Sequence, residues 1–245
     1  GLEILEQLDG KVDTILCPIG GGGIIAGIAV AAKGINPNIK IVGVQTANIP
    51  SMQESMKNGE VTTAFKSTTI ADGIAVKTPG DVTFEIINEL VDEVVVVEED
   101  EIAQGMLFLM ENQKVVAEGA GAVTTAALLS GKYVPKKDEN VVCVISGGNV
   151  DVNTLYRVIG TALTKEARRY SFNTVIQDKP GGLAELTKII SEYDANILSA
   201  NLSRSSMGGA LGSLTAEMVL ETFNHDHIDK LKVAITEAGF EIVEI

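Results

Sequence analysis

Residues Pro18–Gly27 read PIGGGGIIAG: Pro18 and Ile19, four consecutive glycines, then Ile24, Ile25, Ala26 and Gly27. The apolar run Thr14–Pro18 (TILCP) ahead of them predicts a short buried strand. The Ala- and Ile-rich stretch from about Ile24 to Lys33 predicts a helix. Four glycines in a row cost conformational entropy on folding. In return they let the backbone N–H groups of Gly20, Gly21, Gly22 and Gly23, with the amide of Ile24, turn toward one point. A helix N-terminus directly behind adds partial positive charge, and the product is a phosphate cradle. A tight strand-to-helix turn with no ligand is the plainer alternative.

Outward from this loop, short apolar runs alternate with helical patterns. Lys40–Gln45, Glu93–Val97 and Asn140–Ile145 read as further strands. Helices are expected over Ser51–Asn58, Asp81–Leu90, about Asp100–Gln113 with Asp100 as N-cap, Gly119–Leu129 and Asp151–Leu163. Residues 59–81 read as irregular, with turn signals at Asp72-Gly73 and Pro79-Gly80. This order predicts an α/β fold with a mostly parallel sheet and helices on both faces.

The pattern changes after about residue 164. Strand candidates at Tyr170–Ile176, Ile197–Ser203, Leu214–Leu220 and Phe240–Ile245 interleave with helices at Leu183–Tyr193 and Asp226–Ala238. In the second of these strands Leu198, Ala200 and Leu202 alternate onto one face. The loop before the third contains Gly208-Gly209 and Gly212. This βαββαβ order is the ferredoxin-like arrangement. Two domains are therefore expected, residues 1–164 and 165–245.

Composition narrows the partners. The net charge of −14 and the absence of a basic cluster argue against nucleic acid, whose phosphates need a basic face. No apolar run reaches about 18 residues, so no membrane-spanning helix is expected. Cys17 and Cys143 lie within apolar runs and read as small core residues, which suits a reducing cytoplasm. His225 and His227 form an H-x-H pair without a visible third ligand, so no metal site is expected there.

The residues after the glycines constrain the identity of the phosphate. A Walker loop needs Lys and Ser/Thr, but Ile28 follows Gly27. Gly21, Gly23 and Ala26 satisfy the dinucleotide spacing, yet the next strand ends at Gln45 rather than at an acid that would hold a ribose. A second glycine motif, Ser146-Gly147-Gly148-Asn149, follows the strand Asn140–Ile145. Both motifs then fall at the C-terminal ends of parallel strands, where ligands bind in open α/β sheets.

PIGGGGIIAG, TIADGIAV (Thr69–Val76), VAEGAGA (Val116–Ala122) and VISGGN (Val144–Asn149) together resemble the threonine dehydratases, fold-type II pyridoxal-phosphate enzymes grouped with serine dehydratases and serine racemases. The resemblance covers residues 1 to about 164. The C-terminal unit, with Asp178-Lys-Pro-Gly-Gly-Leu183, looks like an amino-acid-binding ACT domain.

The resemblance implies that Gly20–Gly23 and the Ile24 amide hold the phosphate of pyridoxal phosphate and that Ser146 faces its ring nitrogen. It implies Gly181, Gly182 and Asn196 as amino-acid effector contacts, and a homo-oligomer. Serine racemases of this family hold a divalent ion with an acid where this chain has Gln45, so no metal is expected. The family's Schiff-base lysine, in a Ser-Phe-Lys-x-Arg motif, has no counterpart here: Ser171-Phe172-Asn173 lacks the lysine. Lys114 reads as a helix-surface residue. Glu118 reads as an acid at a helix N-terminus, with support of the cofactor pocket as the alternative. The helical pattern at Gly1–Leu8 starts without a capping residue, so an upstream segment carrying the lysine is expected. Catalysis is not expected of these residues alone. A stand-alone amino-acid-binding module without catalysis is the alternative.

Overall fold

The computed structural model describes residues 1–65, 68–204 and 212–244. It divides into two compact units, Gly1–Ile159 and Gly160–Ile245.

In the first unit four strands, β1 (Thr14–Pro18), β2 (Lys40–Thr46), β3 (Glu93–Val97) and β4 (Val141–Cys143), form one parallel sheet in the order β3-β2-β1-β4. The helices between them are α2 (Gly23–Ile35), α3 (Ser51–Asn58), α4 (Asp81–Leu90), α5 (Glu99–Phe108) and α6 (Gly119–Leu129); α1 (Leu2–Gln7) precedes β1. Alternation along β1 explains the layering. Ile15 and Cys17 pack with Ile25 and Ile28 of α2 and Ile87 of α4, while Leu16 packs with Ile102 of α5 and Val123 of α6. Both sheet faces are covered, as the continuous apolar runs require.

Several expectations change. Asp100 does not cap α5: Glu98 does, in a reciprocal capping box with Glu101. The regular helix ends at Phe108; Leu109–Gln113 widen into a π-helical turn closed by Lys114 in the left-handed region, φ 58°. β4 is shorter than Asn140–Ile145, although the Val144 amide still donates to the Leu16 carbonyl at 3.0 Å. Cys17 is buried and Cys143 only half-buried, because β4 is the sheet edge. Residues 59–81 include a short 3-10 turn, Asp72–Ile74.

The helix α7 (Val152–Lys165) begins in the first unit and ends in the second. The second unit then runs β5 (Arg169–Gln177), α8 (Gly182–Glu192), β6 (Asn196–Ser203), β7 (Ser213–Glu221), α9 (His225–Glu237) and β8 (Val243–Glu244). Its antiparallel sheet has the order β6-β7-β5-β8, which is the ferredoxin-like topology. Tyr170, Phe172 and Ile176 of β5 and Leu214, Ala216, Met218 and Leu220 of β7 face one core with Leu186, Ile190, Leu231 and Ile235 of the helices.

The alternation expected for β6 fails. A register shift between Ile197 and Ser199 leaves Leu198 as an extra, unpaired residue, which interrupts the strict alternation there. Leu198 and Leu202 are 47% and 48% exposed, because β6 is an edge strand. The last strand pairs only through Val243 and Glu244, while Phe240 and Ile242 pack onto the core; Ile245 lies outside the described residues, as do Gly208-Gly209. Among the described residues no helix is long and apolar enough to cross a membrane.

Candidate active site

The two glycine motifs meet because of strand order. β1 and β4 are neighbours in register Thr14↔Val141, Ile15↔Val142 and Leu16↔Cys143. The Val144 amide, donating to the Leu16 carbonyl at 3.0 Å, carries this pairing one residue further, so both glycine motifs follow adjacent strand ends. The chain leaves β1 toward β2 on one side and returns to β4 on the other. The cleft between them is thus a topological switch point.

There Gly20, Gly21, Gly22, Gly23, Ile24 and Ser146 line one cavity of about 270 Å³. The rest of its wall is Pro18, Gly73, Ile74, Glu118 and Ala120. Of these, sequence reasoning singles out only Glu118, and prefers a helix-terminal role for it. A signal for the others exists: Gly73 and Ile74 belong to TIADGIAV, and Ala120 to VAEGAGA.

Local packing fixes the loop. Gly22 adopts φ 93° as the N-cap of α2, a conformation that disfavours any side chain. A Cβ there would also lie 2.7 Å from the Ile87 side chain. The Thr83 hydroxyl, in the first turn of α4, donates to the Gly21 carbonyl at 2.6 Å and ties the loop to that helix. Gln45 is fully buried: its Nε2 donates to the Ile19 carbonyl at 3.3 Å, and its Oε1 accepts from the Met52 and Gln53 amides at 3.1 and 3.0 Å. One side chain therefore caps α3 and ties it to the entrance of the loop. A carboxylate could accept these bonds but not donate one, which accounts for a neutral amide here.

The opposite wall is the segment Thr69–Val76. Glu99 anchors it, accepting from the Ile70 amide at 2.7 Å and from the Thr46 hydroxyl at 2.9 Å. Ser51 donates to the Val76 carbonyl at 2.6 Å. Ser51 and Gln45 are both committed to backbone partners, and among the described residues no group of three acidic, histidine or cysteine side chains is arranged to hold a metal.

The residues present fit a phosphate. Cβ atoms placed on Gly21 or Gly23 would meet nothing within 4 Å, so the cradle is open space bordered by backbone. The first N–H groups of α2 have no acceptor within the helix. Ser146 brings a hydroxyl to the same space, and no lysine is among the lining residues. Lys114 instead donates to the Glu111 carbonyl at 2.6 Å.

A larger cavity, about 410 Å³, lies at the N-terminal end of the strands. Three of its polar groups converge on Glu139. Glu139 accepts from the Thr14 and Tyr133 hydroxyls and the Lys136 amide, each at 2.5 Å, and these bonds hold its carboxyl down to about 2.

In the second unit, Gly181 is the left-handed N-cap of α8, and a Cβ on Gly182 would lie 2.3 Å from the Gln177 carbonyl. Asn196 starts β6 and donates to Glu221 at 3.2 Å. β6 and β5 run in the same direction, so Asn196 and the Gly181 turn sit at opposite ends of the sheet, about 25 Å apart. One chain does not bring these three residues together. His227 is likewise occupied: its Nδ1 accepts from the Phe223 amide at 3.2 Å, which leaves Nε2–H to donate to the Tyr193 carbonyl at 2.6 Å.

Comparison with known proteins shows the family of the first unit. The family described as "Pyridoxal-phosphate dependent enzyme" matches residues 1–147. The chain is 46% identical over 242 residues to an L-threonine ammonia-lyase of Thermotoga maritima, covering 99% of this chain and 60% of that protein. It is 43% identical over 240 residues to an L-threonine ammonia-lyase of Geobacter sulfurreducens, covering 98% of this chain and 59% of that protein. Among solved structures, maize serine racemase superposes with a TM-score of 0.60 at 36% identity, over 68% of this chain and 51% of its own. The chain thus spans about 60% of the length of the curated relatives it matches.

Proposed function

Because the chain belongs to the pyridoxal-phosphate-dependent enzyme family, we propose that it forms the phosphate-binding side of the active site of a threonine ammonia-lyase, converting threonine to 2-oxobutanoate and ammonia, with serine to pyruvate as a second reaction. The observation that carries this reading is the single cavity shared by Gly20–Gly23 and Ser146 at two adjacent strand ends. When bound, pyridoxal phosphate supplies an electron sink for charge developing at the substrate's α-carbon. The glycine loop and the N-terminus of α2 hold its phosphate. Ser146 offers the ring nitrogen a neutral hydroxyl partner, which limits charge delocalisation and favours early loss of the β-hydroxyl. No lysine able to remove an α-proton is among the residues that line this cavity.

The second unit is read as an ACT domain that binds an amino-acid effector in a homo-oligomer. Its strand order and the Asp178–Gly182 turn support this reading. So does the placement of Asn196: antiparallel pairing of two β6 edges brings the Asn196 of one copy toward the Gly181 turn of the other. A cytoplasmic setting suits the two unpaired cysteines.

The test is the full-length protein supplied with pyridoxal phosphate and L-threonine. Release of 2-oxobutanoate is expected, with Ser146→Ala lowering turnover about tenfold or more. No keto acid from either threonine or serine would overturn the proposal.

A further inference from the structure

The cavity at the N-terminal ends of the strands is larger than the glycine-lined one, about 410 Å³ against about 270 Å³, a size that holds a small molecule. The proposed reaction makes no use of it. Three turns build it: one ahead of β1 with Val12 and Asp13, one between α2 and β2 with Asn36 and Asn38, and one between α6 and β4 from Tyr133 to Glu139. Thr14 at the start of β1 lines it, whereas Pro18 at the end of β1 lines the glycine cavity. About 13 Å of strand therefore separates the two.

Part of its charge is already matched. Glu139 is filled by three donors, and Lys40 is paired with Glu93 at 2.7 Å. The rest is not. Among the described residues the side chains of Lys136, Lys137 and Asp138 make no hydrogen bond or ion pair. Asp13 accepts from the Asn140 amide through Oδ2 alone, at 2.8 Å, which leaves Oδ1 open and brings this acid to the turn that carries Asp138. Two ammonium groups and two carboxylates thus line one cavity with bonding capacity unused. A simple anion there would meet the two acids, and a simple cation the two lysines. A zwitterion meets its complement in both. Val12, Val134 and the ring of Tyr133 add apolar surface to the same cavity.

We propose that this cavity binds a free α-amino acid with a short aliphatic side chain. Lys136 and Lys137 take its carboxylate, and Asp13 and Asp138 take its ammonium group. The site lies in the first unit, apart from the effector site read into the second, and it does not depend on how the glycine cavity is filled.

The experiment uses the full-length protein supplied with pyridoxal phosphate, and L-alanine, L-valine and L-leucine as probes, none of which has a β-hydroxyl to lose. A lysine-acylating reagent is applied with and without each probe, and the modified lysines are read by peptide mass spectrometry. Lys188 of α8, with 76% of its side chain exposed, is the internal reference for reagent that the probe itself consumes. Relative to it, Lys136 and Lys137 are expected to lose most of their reactivity when at least one probe is bound. L-valinamide, which lacks the carboxylate, and N-acetyl-L-valine, which lacks the ammonium group, are expected not to protect. Asp138→Asn removes one acid and keeps the turn, because asparagine tolerates the left-handed φ of 64° found there. In that variant, protection is expected to need about tenfold or more probe. Failure of all three amino acids to protect either lysine would overturn the proposal. So would equal protection by N-acetyl-L-valine, which would make the site a plain anion site, or unchanged protection in a folded Asp138→Asn variant.

Discussion

Gln45 occupies the strand end where a dinucleotide fold would place an acid, and its burial shows what the position requires instead. It must donate to Ile19 and accept from Met52 and Gln53 at once, and a neutral amide does both. Glu139, at the other end of the strands, shows the opposite solution. Three donors converge on an ionised carboxylate and hold it at about 2, against an ordinary value of 4.5. A folded-state value depressed in this way stabilises the fold fully above about pH 4.5, and that contribution is lost as pH falls toward about 2. Acid unfolding followed by circular dichroism is therefore expected to be shallower in Glu139→Gln than in the wild type across that window. The variant should be the less stable of the two at neutral pH. Parallel pH profiles would show that the Thr14–Tyr133–Glu139 bonds do not contribute.

Elements are brought together here by the absence of side chains. The first turn of α6 approaches two backbones: a Cβ on Gly119 would lie 2.3 Å from the Ile70 carbonyl, and one on Gly121 2.6 Å from the Gly147 carbonyl. Gly119→Ala is expected to destabilise the full-length protein by about 1–3 kcal/mol in urea unfolding, because the obstacle is backbone and cannot rotate away. Gly27→Ala, in α2 where a Cβ meets nothing within 4 Å, is the matched control and is expected to be neutral or slightly stabilising. Equal midpoints for the two variants would contradict this packing.

The strands and helices of the first unit are legible in the sequence because buried parallel strands are continuous apolar runs, and β2 and β3 can be read to within a residue. The glycine loop and Ser146 are legible because each follows such a run. Three features cannot be read in this way. The Glu98 capping box competes with Asp100, another acid two positions on. The extra residue at Leu198 depends on pairing with β7, which alternation along β6 alone does not encode. The wall formed by Gly73 and Glu118 depends on contacts between segments about 45 positions apart.

At the scale of the whole molecule, two units with different sheet types follow one another in one chain. The parallel unit carries an open, glycine-lined cavity, and the antiparallel unit presents an edge strand with half-exposed Leu198 and Leu202. The chain spans about 60% of the length of the relatives it matches. The central claim is that the glycine loop holds the phosphate of pyridoxal phosphate. Gly21 tests it most directly, since a Cβ there meets no protein atom within 4 Å and the residue lines the cavity itself. Fluorescence titration of pyridoxal phosphate into the full-length protein and its Gly21→Asp variant should show unchanged folding and affinity weakened about tenfold or more, because an anion then faces the phosphate. Equal affinity in a folded Gly21→Asp variant would contradict the account.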